Sequence, residues 1–201
     1  MYVPKHFKIE DPAWIREFLD AHAFGTLINV VDGEPFATHL PMLYAGEPAP
    51  LGRLRGHMAR ANPQWKAFGD APVLAIFAGP HAYVSPTWYE SDGPSVPTWN
   101  YTTVHVYGRP RIVEDRASVE DLLRQLVDRE EAALPAPWSF DGLDATYREH
   151  MIGQIVAFEI PVARIEAKAK LSQNRTPDER RRVADAIADD VAATMRELEL
   201  V

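Results

Sequence analysis

The sequence predicts a mainly β domain: a closed or split antiparallel barrel with helices at its periphery. Three observations lead there. Six or seven short runs have strand composition, an Asp32-Gly33 hairpin turn joins two of them, and helical spacing is confined to a few separate stretches. At 201 residues the chain is long enough for one core and short for two independent ones, so residues 1–201 read as a single domain.

Each element has a local reason. Asp11 followed by Pro12 starts a helix, because the carboxylate accepts from free backbone N–H groups and proline wastes no donor at the first position. Trp14, Ile15, Phe18 and Leu19 supply its apolar face. Thr26 to Val31 and Phe36 to Met42 are the arms of the hairpin, and Leu51 to Met58 is a third strand. Ala59 to Phe68 reads as a short helix interrupted early by Pro63. Val73 to Phe77 is continuously apolar, as in a strand buried on both faces, with Ala82 to Ser85 as its expected partner. A Ser-, Asp-, Gly- and Pro-rich loop spans Glu90 to Pro97, and a long strand from Thr98 to Val113 follows. Ser118 is the expected cap of a helix carrying Leu122, Leu123, Leu126 and Val127, and a second short helix spans Leu143 to Met151. Ile155 to Ile160 is the last strand, broken at Pro161. Thr176-Pro177-Asp178-Glu179 is a capping box, and the apolar spacing after it predicts one amphipathic helix at about 177–199.

Composition removes whole classes of chemistry. Without cysteine there is no disulfide, thiolate metal site, iron–sulfur ligation or cysteine nucleophile, which agrees with a reducing cytoplasm. The N-terminal stretch lacks a signal-peptide apolar run, and no segment approaches the roughly 20 apolar residues of a membrane helix. The expectation is a soluble cytoplasmic protein. A formal charge of -8 opposes nonspecific attraction to nucleic acid, with Arg175, Arg180, Arg181 and Arg182 as a local basic exception. The seven histidines show no HxxH or HExxH spacing, so no metal is expected; His39 leaves haem ligation open as an alternative. No GxSxG elbow, GxGxxG or GxxxxGK[ST] occurs.

Two surfaces remain. On the strand 99–107, Trp99, Tyr101, Thr103, His105 and Tyr107 point one way and Asn100, Thr102, Val104 and Val106 the other. Such an aromatic and polar face suits a planar heterocycle, a subunit interface or ordinary cross-strand packing. Arg53, Arg55 and His57 share one face of the third strand just before Arg60, a combination that favours an anion such as a phosphate.

Several segments carry a family resemblance along most of the chain. They are Met1-Tyr2-Val3-Pro4-Lys5-His6-Phe7, Thr38-His39-Leu40-Pro41, Gly56-His57-Met58-Ala59-Arg60-Ala61-Asn62-Pro63-Gln64-Trp65 and Tyr83-Val84-Ser85-Pro86-Thr87-Trp88-Tyr89. Val96-Pro97-Thr98-Trp99-Asn100-Tyr101 and Lys170-Leu171-Ser172-Gln173-Asn174-Arg175 complete the set. Their order and spacing resemble the PaiB-type FMN-binding negative transcriptional regulators, within the FMN-binding split-barrel group. The resemblance implies a pyridoxamine phosphate oxidase-like split barrel that forms a homodimer with FMN between subunits. It implies that Thr38, His39 and Leu40 run beside the isoalloxazine and that His57, Met58, Arg60 and Asn62 lie near the ribityl phosphate. Trp99, Asn100 and Tyr101 would come from the opposite subunit, with Lys170, Gln173 and Asn174 as additional contacts. The longer Arg-Lys phosphate motif of the oxidases is not reproduced; only Arg60 stands in that region.

Three functions follow as expectations: a flavin-binding regulator or sensor, a flavin-dependent oxidoreductase acting on a small molecule, and direct DNA binding through the arginines at 180–182. The last has no helix-turn-helix signal behind it.

Overall fold

Asp32 and Gly33 both take positive φ, 51° and 86°, as the two central residues of a tight hairpin turn require. That turn pairs β2 (Phe24–Val31) with β3 (Glu34–Ala45) in strict antiparallel register, from Val31 opposite Glu34 to Phe24 opposite Pro41. The computed structural model describes residues 1–46, 51–89 and 93–201, so residues 90–92 of the expected loop lie outside the described residues. The chain divides into two compact units, each assembled from separated segments.

The larger unit comprises residues 19–77 and 106–165. Its sheet adds β4 (Arg53–Ala59), β5 (Val73–Val84), β7 (Arg111–Val113) and β8 (Ile155–Lys170) to the hairpin. Spatial order is β7-β8-β4-β3-β2-β5, and each of these neighbours is antiparallel. Gly56 is required where β4 crosses the core: a Cβ there would meet Phe158 at 2.9 Å and Leu40 at 3.1 Å. Two helices, α2 (Arg116–Glu131) and α3 (Ala145–Gly153), bring Val119, Leu122, Leu126 and Ile152 onto a cluster with Phe140 and Ala157. Burying a side chain such as Leu122 contributes about 2 kcal/mol.

The smaller unit comprises residues 1–18, 78–105 and 166–201. Here β1 (Lys8–Ile9) pairs with β8 through Lys8 opposite Lys168 and Ile9 opposite Ala167. Helix α1 (Pro12–Ala21) starts at the Asp11 cap, whose Oδ1 accepts from the N–H of Ala13 at 2.9 Å. The strand β6 (Thr98–Gly108) pairs with both β5 and β8. Val84, Tyr89, Ala169, Leu171, Val183, Val191 and Met195 form this unit's core.

Several sequence expectations need correction. Residues 73–84 form one twelve-residue strand rather than a strand and its partner. The long strand ends at Gly108, with Pro110 separating it from β7. The β8 strand runs straight through Pro161, because Pro161 is the terminal pair with β4, opposite Arg53, where the ladder asks little of the missing donor. Asp115, not Ser118, caps α2: its Oδ2 accepts from the N–H of Ser118 at 2.9 Å and from its hydroxyl at 2.7 Å. The Thr176–Glu179 capping box forms as expected. The helix it starts is nevertheless broken into α4 (Pro177–Ala186) and α5 (Asp189–Glu197). Ile187 and Ala188 are extended, while Asp189 and Asp190 favour a fresh N-terminus over a helix interior. Among the described residues no helix is long and apolar enough to cross a membrane.

Candidate functional site

The arginines on the face of β4 are not an anion site. Arg53 pairs with Glu159 at 3.1 Å. Arg55, almost buried, donates to the Ser118 carbonyl at 3.0 Å and to Asp121 at 2.9 Å. That hydrogen bond holds the Asp121 carboxyl below the usual carboxylate range. Sequence showed the shared face; it could not show that α2 brings a carboxylate and a carbonyl to meet it. His57, next on the same face, lines a 140 Å³ pocket with Leu123, Phe140, Leu143, Arg148 and Ile152. Its buried Nδ1 has no hydrogen-bond partner, and burial lowers its pKa.

The end of β4 and the following turn bring other expected residues together. The amide of Asn62 donates to the Thr38 hydroxyl at 2.9 Å, while its Oδ1 accepts from the N–H of Gln64 and caps a short 3-10 turn, Pro63–Ala67. His39 is exposed, with Nδ1 2.9 Å from the Thr26 hydroxyl, whereas Leu40 and Met58 are core residues. Arg60 is exposed and anchored: Nε donates to the Gly153 carbonyl and Nη2 to the Ile155 carbonyl, both at 2.7 Å. Three of its five N–H groups remain free for an oxyanion. Beside it opens a cavity of about 550 Å³ whose wall includes Trp65, Ile112, Arg116, Glu149 and Ile152. Arg116 is neutralised there by Glu120 at 2.9 Å and Glu149 at 2.7 Å. Its part in this wall carries no sequence signal, since 56 residues separate it from Arg60.

In the smaller unit the alternation along β6 holds. Trp99 is half exposed, with the His81 ring 6.4 Å and the Tyr83 ring 6.1 Å from its own. Tyr101, on the same side, lies under Lys168 at 5.0 Å. Asn100 faces the other way and is fully buried, so it does not share the surface of Trp99 and Tyr101. Its Oδ1 accepts from the Ser172 hydroxyl at 3.1 Å.

The run after β8 is bent on itself. Gln173 accepts from the N–H of Leu171 at 2.7 Å and donates to the Ala169 carbonyl at 2.6 Å, so its amide closes the local turn. Lys170 donates to the Trp99 carbonyl at 2.6 Å and to the Thr98 hydroxyl. Asn174 is exposed and lines a 240 Å³ cavity with Lys170 and Asn100. The arginine cluster is engaged internally. Arg180 donates to the Leu200 and Arg175 carbonyls, Arg182 to the Tyr89 carbonyl, and Arg181 to Asp178 at 2.6 Å. Among the described residues no group of three or more His, Asp or Glu is placed to hold a metal ion.

A family model described as "Putative FMN-binding domain" matches residues 1–164. A Bacillus subtilis relative, protease synthase and sporulation protein PAI 2, is 37% identical over 191 residues, covering 94% of this chain and 90% of the relative. Among solved structures, the flavocytochrome Anf3 of Azotobacter vinelandii superposes with a TM-score of 0.61 at 19% identity, over 84% of this chain and 72% of that one. A Listeria innocua protein described as a "Putative Pyridoxamine 5'-phosphate oxidase" gives 0.50 at 18% identity, over 79% and 98%. The fold is therefore mainly antiparallel β with few helices, of the pyridoxamine phosphate oxidase-like split-barrel class.

Proposed function

The chain belongs to the FMN-binding domain family of PaiB type, and from that premise we propose that it is a homodimeric flavin-linked sensor of regulatory type. The observation that carries the reading is Arg60. Its guanidinium is held by two backbone carbonyls and has no carboxylate partner among the described residues, so its remaining N–H groups are free to bind the phosphate of FMN.

The residues suit such a cofactor in kind. The Thr38–Asn62 hydrogen bond sets a hydroxyl and an amide in fixed positions, and Thr26 steadies the exposed His39 ring. The Trp99, Tyr83 and His81 rings form an exposed aromatic cluster, Tyr83 edge-on to Trp99, suited to a second copy of the chain covering a planar ring. Met58 is a core residue and His57 lines the 140 Å³ pocket, so both back this site rather than touch the phosphate, and Lys170 and Asn174 add polar contacts. When bound, FMN supplies one- and two-electron redox chemistry; the protein's task is to hold it, exclude water and couple its state to a surface.

The regulatory half of the proposal rests on the Bacillus subtilis relative, whose name ties it to protease synthase and sporulation. Direct DNA contact is not part of it, because Arg180, Arg181 and Arg182 each donate to a partner within the chain. A gel-shift assay in low salt should show no retardation.

A visible absorbance spectrum of the purified protein, before and after adding FMN and gel filtration, tests the proposal. Flavin bands that stay with the protein, without sustained NAD(P)H oxidation, are the expected result. A protein that ignores FMN overturns the reading, and rapid NAD(P)H turnover would make it a flavin-dependent oxidoreductase instead.

A further inference from the structure

Helix α3 is lightly seated on the larger unit. Of its nine residues only Ile152 is buried, and nine residues are too few for a helix to persist on propensity alone. Two cavities border it: Glu149, Ile152 and Gly153 line the 550 Å³ space beside Arg60, and Arg148, Met151 and Ile152 line the 140 Å³ pocket with His57. Its side-chain ties are peripheral. Glu149, largely exposed, pairs with Arg116 at 2.7 Å, and Arg148 lies over the Phe140 ring at 5.6 Å. The C-terminal end is held differently, because three successive carbonyls share one partner. Arg60 donates from Nε to Gly153, from its backbone N–H to Gln154 and from Nη2 to Ile155, each at 2.7 Å. The carbonyl end of a helix lacks partners of its own, and a cation is favoured beside it.

We propose that α3 is the element through which this site reports its cofactor: Arg60 clasps the end of the helix, and a phosphate bound to the rest of the same guanidinium tightens the clasp. This rests on the binding of the FMN phosphate at Arg60 and names the part of the protein that responds. The donor count allows both partners at once. A guanidinium has five N–H groups; Nε and Nη2 each give one to the helix end, which leaves both protons of Nη1 and one of Nη2. The phosphate therefore need not displace the helix. Without the guanidinium between them the two would repel, since the carbonyl end of a helix carries partial negative charge. Ordering supplies the coupling. Arg60 is exposed, so a loose side chain would lose rotamer freedom on meeting an anion. The helix end has already removed that freedom, and a bound phosphate in turn restrains the group that holds the helix. The effect is reciprocal: whatever factor the phosphate gives to the docked helix, the docked helix gives to the phosphate. Tyr147 and Met151 stand about half exposed on α3, so a change in its order is a change at the protein surface.

Hydrogen–deuterium exchange of the full chain, with and without saturating FMN, tests the proposal alongside FMN affinity in capping variants. Amides of α3 should exchange about three- to tenfold more slowly with FMN bound, a larger slowing than in α1. Asp144 is exposed and caps the far end of α3, its Oδ1 accepting from the N–H of Tyr147 at 2.9 Å. At 1.5 Å per residue it lies about 13 Å along the helix from the Arg60 end. Asp144→Ala should weaken FMN binding about three- to fivefold, and Asp144→Ser, which restores a cap, should recover it. Asp11→Ala removes the corresponding cap from α1 and should leave the affinity within about twofold. FMN that binds without slowing α3 more than α1, or equal losses in Asp144→Ala and Asp11→Ala, would overturn the proposal and leave the flavin reading standing. Protein that takes up no FMN would overturn both.

Discussion

The hydroxyl of Ser172 donates a 3.1 Å hydrogen bond to Oδ1 of Asn100, from a backbone held at φ 66°. The left-handed turn aims the hydroxyl inward, and Gln173 secures it by bonding the N–H of Leu171 and the carbonyl of Ala169. Strain and a buried amide are thus coupled at one point. Ser172→Ala keeps the strain and leaves the Asn100 oxygen without its donor, which should cost about 1–3 kcal/mol. Ser172→Gly loses the same bond but relieves the backbone, and should be about 1 kcal/mol more stable than the alanine variant. Urea denaturation of the two variants decides the order; the reverse order would refute the strain.

Arg60 is the predicted phosphate anchor. Arg60→Ala should weaken FMN binding by about 10- to 100-fold, with Arg60→Lys in between, since lysine offers a point charge without the guanidinium fork. Flavin fluorescence titration measures the loss, and an unchanged far-ultraviolet dichroism spectrum guards against misfolding. Equal affinity in all three proteins would remove Arg60 from the site.

Trp99 is half exposed and ringed by His81 and Tyr83. If a second copy covers this surface, Trp99→Ala should raise the dimer dissociation constant by about 30-fold or more, the effect of losing an aromatic anchor worth about 2 kcal/mol. Sedimentation equilibrium reads this directly. A monomeric wild type, or a dimer indifferent to the change, would sink the pairing.

His57 gives the fold an acid sensitivity. Burial lowers its pKa, so the folded chain prefers the neutral ring and the unfolded chain binds more protons below its ordinary value of 6.5. The stability it contributes is therefore fully present above the unfolded pKa and is lost as pH falls through the folded one. Urea unfolding at about pH 7.5 and about pH 5.5 should show a smaller acid loss in His57→Leu than in the wild type. A loss of the same size in both proteins would assign the sensitivity elsewhere.

Much of this architecture is legible locally. The Asp32-Gly33 turn, the Thr176–Glu179 box and the alternation along β6 each follow from a few neighbouring residues, and each is observed. What sequence could not show is which groups meet across long separations. Arg53 and Arg55 present the same chemistry as Arg60, yet Glu159 and Asp121, brought in from far along the chain, neutralise the first two and not the third. Pro161 misled for a similar reason: a proline breaks a strand only where the partner demands its donor, and here the ladder with β4 ends at that residue. The family resemblance groups Asn100 with Trp99 and Tyr101, but the pleat, as the alternation along the strand predicts, sends it into the core.

The way the chain is threaded limits how it can be dissected. It passes between the two units at four points, and three of these, at 77/78, 105/106 and 165/166, fall within the strands β5, β6 and β8. A stop codon placed after Ile165 would therefore yield no trimmed module: it would delete Ala167 and Lys168, the residues that β1 pairs with. Neither unit exists as a contiguous stretch of gene. Shuffling, fusion or deletion experiments must keep the reading frame whole, and any cut inside it should release peptides rather than a working half.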